Sequence, residues 1–469
     1  MFSGLFVAAL VASSSGAARA NGRYPKADQL VLSPDQPGLM VARTTFGLLI
    51  TNDAGAHWDW VCERAIGYSG VQDPTVGLMD SGTIIASLSE GIARSTDTGC
   101  NWSFAEADLN GSPVIDLTVR KDQPSSALAL IWDAQAVSYS SRFVQSNDNG
   151  RTFVAYGTAI DPSVLVSTLD AAESDPHRLY ASGTRSVDGV RAGLFFTSLD
   201  DGEHWAETSV PFDPEVEQGV YIAAVDPSDA DTVYLRTNSA TVSRLLVTHD
   251  AGQHFDVAYS GSLLAFALSP DGSRLYFGGE DGLHTGLARD LEFEQRSTLR
   301  VLCLAASSDT LYACSDEHSG FTVGASQDDG ATFTPLLHLK TVNGPLVCGA
   351  GDSVASCAAD WPLVSAQLGI PPSDEDAGAG VAAAGAAGAG ASDAGAEGVD
   401  GEAPLDSGAS GAVDSGAPPQ ANTSTHGSCA IDALGARRQS GFLLAALAGV
   451  LISRRRRCRS RRPCRLLAR

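Results

Sequence analysis

The sequence predicts an all-β fold, a seven-bladed β-propeller built by residues 21–370. Three observations carry this prediction. An eight-residue motif occurs six times, its copies recur at a fairly regular interval, and each interval contains several short β-rich runs with little helical patterning. Short strands repeated at a period of about 40–50 residues are typical of propeller blades, each of which is a small antiparallel sheet.

The repeated motif reads [ST]-x-D-x-G-x-x-[WF], and its first copy, TNDAGAHW, covers residues 51–58. Aspartate side chains accept backbone hydrogen bonds inside turns, and glycine adopts a positive φ without steric cost. The motif therefore predicts a tight turn that ends in an aromatic side chain. The aspartate, glycine and aromatic positions of the six copies are Asp53, Gly55, Trp58, Asp97, Gly99, Trp102, Asp148, Gly150, Phe153, Asp200, Gly202, Trp205, Asp250, Gly252, Phe255, Asp328, Gly330 and Phe333.

The spacing of the motifs indicates how many blades there are. Successive motif aspartates lie 44, 51, 52, 50 and 78 residues apart. The last interval is long enough for two repeats, and the segment ARDLEF, with Asp290 and Phe293, lies near its middle. We interpret this segment as a decayed seventh copy, which predicts seven blades.

A second element, a turn followed by a β-rich run, recurs beside the motif, as in SDPHRLYASG (174–183) and SPDGSRLYFGG (269–279). Together these features resemble the Asp-boxes, or BNR repeats, of sialidase-like and sortilin-like β-propellers, over about residues 28–345. The resemblance implies that each box joins the last two strands of a blade and has a structural role. It also implies that the six aromatic residues belong to the core between the sheets.

The two ends of the propeller region carry elements expected to close the ring. By the same resemblance, RYPKADQLVLS (23–33) is a candidate strand for pairing N- and C-terminal segments within one blade. The segment ADWPLVSAQLGI (359–370) resembles a short closing helix or cap that packs Trp361 and Leu368.

Charge and cysteine content bound the function and the compartment. Residues 21–370 carry 19 basic and 45 acidic groups, and such an acidic body repels phosphate backbones, which argues against nucleic-acid binding. Residues 1–20 read as a secretory signal with cleavage after Ala20, which would place the body where disulfides persist. Cys303 and Cys314 flank one predicted hairpin, Cys348 and Cys357 bracket another, and Cys62 and Cys100 are candidates to bridge adjacent repeats.

A sialidase would need three arginines that bind the sugar carboxylate, a tyrosine nucleophile with a nearby glutamate, and an aspartate that acts as the acid. The segment GRYP (22–25) matches the family's Arg-Ile-Pro motif only superficially. Arg120, Arg178 and Arg236 have no spacing that singles out a triad. The chain is therefore not assigned an enzymatic activity, because no complete catalytic constellation is recognised.

Other chemistry-bearing residues have simpler explanations. The acids of DPSDADT, Asp226, Asp229 and Asp231, fit a solvated turn. His57, His204 and His254 all occupy the position before the motif aromatic, so the repeat accounts for them. We find no metal-ligand spacing and no cofactor motif, and we predict no cofactor.

The C-terminal part changes composition twice. Residues 371–428 contain nine acids, no base and almost no large apolar residue, which predicts a disordered linker. Residues 429–469 contain an uncharged run, Gln439–Ser453, followed by an arginine cluster. This run would form a helix of about 22 Å, short for a bilayer core of about 30 Å.

This end of the chain resembles the MYXO-CTERM type of sorting signal, with Gly427 and Cys429 separated by Ser428. The resemblance implies cleavage near Cys429 and retention on the cell surface. The alternative is a short C-terminal transmembrane helix that keeps its arginine tail on the cytoplasmic side.

The sequence as a whole favours an exported, membrane-tethered protein of the cell envelope that binds or scaffolds a protein or glycan ligand without catalysis. The ligand is expected on the face away from the boxes. The alternative is a sialidase- or xyloglucanase-like glycoside hydrolase, which would show converging arginines or a facing carboxylate pair. A purely structural spacer would show no concave site.

Overall fold

The computed structural model describes residues 23–109, 112–133 and 140–371. They form seven antiparallel sheets in chain order, which confirms the predicted all-β, seven-bladed propeller. The predicted signal peptide, the linker beyond Pro371, Cys429 and the C-terminal segment lie outside the described residues. Within the described ranges, no helix combines the length and apolarity needed to cross a bilayer.

Blades 1 to 3 show why this sequence forms central strands without a polar face. A blade is covered on both sides by its neighbours, so its middle strands are apolar throughout, as in ALALIW (127–132). The strands are β1 (Ala27–Leu32), β2 (Met40–Thr44), β3 (Gly47–Thr51) and β4 (Asp59–Val61) in blade 1; β5 (Val76–Leu78), β6 (Ile84–Ser87), β7 (Ile92–Ser95) and β8 (Ser103–Phe104) in blade 2; and β10 (Val114–Val119), β11 (Ala127–Trp132), β12 (Ser141–Ser146) and β13 (Thr152–Ala155) in blade 3, with β9 (Glu106–Ala107) added parallel to β13.

Blades 4 to 7 each contain four consecutive antiparallel strands. These are β14 (Val164–Ala171), β15 (Leu179–Val187), β16 (Val190–Ser198) and β17 (Ala206–Val210); β18 (Glu217–Val225), β19 (Val233–Ser239), β20 (Ser243–Thr248) and β21 (Asp256–Gly261); β22 (Ala265–Leu268), β23 (Arg274–Gly279), β24 (Gly282–Leu287) and β25 (Phe293–Ser297); and β26 (Cys303–Ala306), β27 (Leu311–Cys314), β28 (Val323–Ser326) and β29 (Thr334–Leu337).

The six motifs, here called the repeat turns, all join the third and fourth strands of a blade. They belong to blades 1, 2, 3, 4, 5 and 7. In blade 6 the same connection, between β24 and β25, contains Asp290, as the spacing predicts. The repeat turns therefore define one face of the ring, the turn face. The turns between second and third strands and the connections between blades lie on the opposite face.

The hydrophobic core is divided among the seams between blades. Five clusters each join two consecutive blades from blade 2 to blade 7. A larger cluster joins blades 7, 1 and 2 and also takes in side chains from the end of the described chain, among them Val342, Val354 and Leu368. The ring is therefore held by burial between sheets, and its closing seam is the most extensive.

The closing seam is built by residues 338–371, the C-terminal arm. Residues 27–32 do form a strand, but it pairs with β2 of its own blade, and all four strands of blade 1 are consecutive. The arm closes the ring at the outer strand of blade 1 instead, where Pro345 pairs in parallel with Trp60 of β4. The amide of Trp60 donates to the carbonyl of Gly344 (2.7 Å), and the amide of Leu346 donates to the carbonyl of Trp60 (2.9 Å).

The helices lie on the path of the closure. Helix α1 (Glu63–Ile66) follows β4, and α2 (Trp361–Leu368) ends the arm, within the predicted closing segment 359–370. Leu368 is buried, and the ring of Trp361 lies 5.6 Å from that of Trp60, centroid to centroid. Short 3₁₀ helices cover Asp80–Gly82, Glu317–Ser319, Leu339–Thr341 and Ser353–Ala359.

Candidate functional site

Each repeat turn is closed by the same hydrogen bonds. The Ser or Thr hydroxyl donates to the aspartate Oδ1 (2.8–3.0 Å) and accepts from the glycine N–H (2.8–3.0 Å). The same Oδ1 accepts the backbone N–H four residues after the aspartate, at 2.9 Å in all six turns. The aspartates therefore hold turns together.

The second aspartate oxygen is also engaged. The residue four positions later always carries a side-chain donor or imidazole 2.6–2.9 Å from Oδ2. Sequence reasoning noticed only the histidines at this position, although the repeat already contained the full pattern: His57, Asn101, Thr152, His204, His254 and Thr332.

These bonds shift the acidity of the carboxylates. Hydrogen bonding from the His57 side chain and then from its backbone N–H lowers the pKa of Asp53 to about 2. In blade 7, the backbone and then the hydroxyl of Thr332 lower the pKa of Asp328 to about 2. Both aspartates stay ionised at neutral pH, so neither is a general acid there.

The repeat-turn glycines lie at the seams. The residue before each glycine and the glycine itself both have positive φ, and a Cβ at the glycine would press on the preceding blade. A side chain at Gly252 would meet Phe195 of blade 4, and one at Gly150 would meet Ile85 of blade 2. The turns therefore join consecutive blades as well as consecutive strands.

The motif aromatics contribute to the seams with different burial. Trp58 and Phe153 are fully buried, whereas the other four are half-buried and pack against the edges of the seam clusters. The expectation of six core aromatics is therefore too strong for Trp102, Trp205, Phe255 and Phe333. Their indole or phenyl rings lie at the outer margin, where Trp205 donates to the carbonyl of Thr158 in blade 3 (3.1 Å).

All six candidate cysteines form disulfides, but only one predicted partnership is correct. Cys303 pairs with Cys314 across β26 and β27, as predicted. The predicted Cys348–Cys357 hairpin is wrong, because the arm runs along β4 and then forms a 3₁₀ helix at 353–359. The same route rules out a Cys62–Cys100 bridge, since Cys62 pairs with Cys357 and Cys100 with Cys348.

The arginines considered for a carboxylate-binding triad are separated. Arg120 bonds Asp122 (3.1 Å) and the carbonyl of Pro176 in blade 4 (2.7 Å). Arg178 bonds Asp231 of blade 5. Arg236 lies over the ring of Tyr221 in its own blade, 5.0 Å from the centroid. Two of these arginines connect neighbouring blades on the turn face, and the three do not converge.

Arg23, from the GRYP segment, also has a structural setting. Its Nη1 lies 2.8 Å from both carboxylate oxygens of Asp73. The pair ties the N-terminal segment to the connection between blades 1 and 2. Asp226 and Asp229 accept hydrogen bonds within their own turn, as predicted, but the predicted solvation is wrong for Asp226, which is buried.

The innermost strands carry a set of bonds that sequence reasoning missed. In blades 1, 3 and 4, one side chain reaches the backbone of the next inner strand. Gln29 bonds the N–H and the carbonyl of Val76 (both 3.0 Å). Asp116 Oδ2 accepts from the N–H of Leu169 (2.9 Å), and Thr168 accepts from the N–H of Ile222 (3.0 Å). Each follows a β-bulge in its strand, a feature with no clear mark in the sequence.

Asp116 is the described group that comes nearest to an acid catalyst. Desolvation raises its pKa to about 7, with a smaller contribution from the charge of Asp170 on β14. Burial likewise raises the pKa of Asp170. Both oxygens of Asp116 already accept backbone N–H groups, from Leu117 and Leu169. This geometry assigns the carboxylate to joining blades 3 and 4.

One described group of side chains has metal-ligand chemistry, formed by Cys100, Cys348 and Asp352. The two sulfurs are joined in a disulfide, so neither is a free thiolate ligand.

The two faces differ in their exposed apolar side chains. Twelve large apolar residues of the described chain are exposed. Only Leu199 belongs to a repeat turn. Four others are Phe104, Val154 and Val257 on outer strands and Val347 beside β4. The remaining seven lie on the opposite face: Tyr24, Val71, Val187, Val190, Val216, Val242 and Leu363.

The β15–β16 hairpin is a long projection of the opposite face. Both strands have nine residues, and the two-residue turn Asp188–Gly189 has positive φ at both positions, which suits the twist of a hairpin. Residues 186–192 are all exposed. Neither β14 nor β17 pairs with Val190–Ala192. Arg191 donates to the carbonyl of Gln218 (2.9 Å), which fixes the hairpin to blade 5.

The opposite face also has a concave feature, which lies at the closing seam. A cavity of about 270 Å³ is lined by Tyr24 and Pro25, Glu317, Leu339 and Lys340, and residues 367–369. We call it the closure cavity.

Comparisons with known proteins give the fold alone. No family model matches the chain, and the comparison with curated proteins found no match. An ancestral GH74 enzyme aligns at 11% identity and a TM-score of 0.47, over 67% of this chain and 45% of the enzyme. YCF48 from Cyanidioschyzon merolae aligns at 14% identity and a TM-score of 0.43, over 62% of this chain and 93% of that protein. The extracellular domain of a one-component system from B. thetaiotaomicron aligns at 12% identity and a TM-score of 0.42, over 63% and 38%.

Proposed function

We propose that this chain is an exported Asp-box propeller, held at the cell surface by a MYXO-CTERM-type C-terminal segment, that binds a polypeptide partner without catalysis. The partner binds the opposite face, and the turn face is committed to holding the blades together. The observation that carries the proposal is the distribution of exposed apolar side chains, seven on the opposite face against one in the repeat turns.

This distribution supports an interaction surface because apolar side chains on a soluble surface lose contact with water when a partner covers them. The repeat turns carry only one such group among their described residues, Leu199, and the arginines and aspartates of the turn face are used in bonds between and within blades. The faces thus have separate roles, stability on one and recognition on the other.

The chemistry of the exposed groups favours a polypeptide over a glycan. Five of the seven are valines, whose small aliphatic surfaces suit apolar side chains of a protein. Interfaces between proteins combine such apolar contacts with a polar rim. Here the rim near blades 4 and 5 includes Asp188, Asp213 and Glu215, all exposed.

Site-directed photo-crosslinking in the native envelope tests the proposal. A photoreactive amino acid at Val190, on the hairpin tip, is compared with one at Leu199, in the repeat turn of the same blade. The two positions are similarly exposed, at 60% and 65%, but lie on opposite faces. We expect a discrete protein adduct from position 190 and none from position 199.

The captured protein is then purified and titrated against the full-length chain. Val190→Asp is expected to weaken binding by about tenfold or more, since it places a charge in an apolar contact, whereas Leu199→Asp leaves the affinity unchanged. Equal adducts from the two positions, or equal affinities of the two variants, would contradict a binding role for the opposite face.

A further inference from the structure

The closure cavity lies where three distant parts of the chain meet. Tyr24 and Pro25 precede β1, Glu317 belongs to the β27–β28 connection of blade 7, and Leu339–Lys340 and residues 367–369 come from the C-terminal arm. Its volume of about 270 Å³ suits a small molecule. The cavity therefore poses a question separate from the polypeptide-binding surface.

The negative wall of the cavity is a positioned carboxylate. Glu317 Oε2 accepts from the hydroxyl of Thr322 (2.6 Å) and the N–H of Leu339 (3.3 Å), and Oε1 lies 2.8 Å from Nδ1 of His338. A carboxylate offers about four acceptor sites, so one remains for a ligand.

The positive wall is Lys340. Its side chain is exposed and lines the cavity, and no described carboxylate lies within ion-pair distance of it. In a body with 45 acidic groups against 19 basic ones, most described arginines are paired with acids. Lys340 is therefore an ammonium group open to a carboxylate from solution.

The remaining walls are mostly apolar, with Gln367 as their polar side chain. Tyr24 is 53% exposed, and its hydroxyl lies 3.1 Å from Nδ1 of His318. Pro25 and Leu368 face the same space. An apolar side chain entering the cavity would be covered on these sides.

We propose that the closure cavity binds a free α-amino acid with an apolar side chain. The ligand ammonium bonds Glu317, its carboxylate pairs with Lys340, and its side chain lies against Tyr24, Pro25 and Leu368. Only a zwitterion satisfies both charged walls, so the site discriminates by the pair of charges rather than by either one alone.

Isothermal titration of the full-length chain with L-leucine tests this site, with N-acetyl-L-leucine and L-leucinamide as matched ligands. The first lacks the ammonium and the second lacks the carboxylate. Each is expected to bind at least about tenfold more weakly than leucine, since each leaves one charged wall without its partner.

Lys340→Gln is the decisive variant, and Lys121→Gln, an exposed lysine outside the cavity, is its control. Lys340→Gln should weaken leucine binding by about tenfold and remove the preference for leucine over leucinamide, which a merely structural role would not do. Tyr24→Ala should weaken the binding of leucine and of leucinamide by the same factor. The proposal is overturned if leucine, alanine and phenylalanine all fail to bind at millimolar concentration, or if Lys340→Gln keeps the preference for leucine.

Discussion

The seam that closes the ring and the seam between blades 4 and 5 solve the same packing problem in different ways. At the closing seam the strands are short and the contact is reinforced by the arm and two disulfides, which join residues 295 and 248 positions apart. Between blades 4 and 5 the strands reach nine residues, and aromatic rings fill the seam, with Phe195 stacked on Tyr180 and edge-on to Phe255.

The difference follows from chain connectivity. Blades 4 and 5 are joined by a short connection, so their association closes only a small loop. Blades 7 and 1 are the most distant in sequence, and bringing them together costs the most loop entropy. Covalent cross-links are most effective against that cost. The two long-range disulfides therefore lie where noncovalent packing alone is least favoured.

The largest effect is expected from removing the Cys62–Cys357 cross-link. The double variant Cys62→Ser with Cys357→Ser should lose about 4 kcal/mol of unfolding free energy, because with Cys100–Cys348 intact this disulfide still closes a loop of roughly 50 residues. Chemical denaturation under non-reducing conditions measures this loss.

The matched control is Cys303→Ser with Cys314→Ser, which opens a loop of separation 11. It should lose about 3 kcal/mol or less. If the two double variants are equally destabilised, loop entropy is not what distinguishes the closing seam.

The seam between blades 4 and 5 is tested by Gly252→Ala. The new Cβ would overlap the ring of Phe195, and the glycine has a φ of +90°, so we expect a loss of about 3 kcal/mol from combined strain and overpacking. Thermal and denaturant unfolding both report it.

Gly189→Ala separates the two causes. This glycine also has positive φ, +83°, but nothing lies within 4 Å of a new Cβ. It should cost only about 1 kcal/mol. A Gly252→Ala variant no less stable than Gly189→Ala would show that the turn does not press on blade 4.

The repeat turns themselves are tested by Asp148→Ala in blade 3. It removes the acceptor for the N–H and hydroxyl of Thr152 (2.9 and 2.7 Å), and we expect a loss of about 1–2 kcal/mol. Asp290→Ala, in the decayed turn of blade 6, removes a carboxylate whose described bond is to Arg289 and should change the melting temperature little. Equal effects would deny the repeat aspartates their role in closing the turns.

The last comparison concerns pH and the seam between blades 3 and 4. Because the folded-state pKa of Asp116 is raised to about 7, its contribution to stability is complete below the ordinary aspartate pKa and is lost as pH rises through 7. Asp116→Asn should flatten this part of the stability–pH curve, measured by urea unfolding between pH 5 and 8.

Exposed histidines titrate in the same direction, because hydrogen bonding to Asp201 and Asp200 raises the pKa values of His177 and His204. The variant His177→Gln with His204→Gln therefore serves as the comparison. If it flattens the curve and Asp116→Asn does not, the pH dependence belongs to the turn face.

The sequence was sufficient for features that repeat and insufficient for those that depend on the path of the chain in space. Six copies of the motif set the number and order of blades, and even the decayed turn at Asp290 was found from spacing. The partners of Cys348 and Cys357 were missed because the course of the arm along β4 is a tertiary fact. The hydrogen bond from the N–H of Leu169 to Asp116 was missed because a β-bulge places Asp116 in this position. The residues that flank such positions differ from blade to blade.

The route of the C-terminal arm also sets how the protein would respond to a pull on its C-terminal side. A force applied at Pro371 would be transmitted through α2 to Cys357. The disulfide would then transmit it to Cys62 at the end of blade 1. A second covalent link at Cys348 carries any remainder to blade 2 through Cys100. Strand β29 is shielded from the load, so blade 7 is not peeled from the ring one hydrogen bond at a time. The described propeller would therefore meet a pull applied at Pro371 with two covalent links before any blade is loaded.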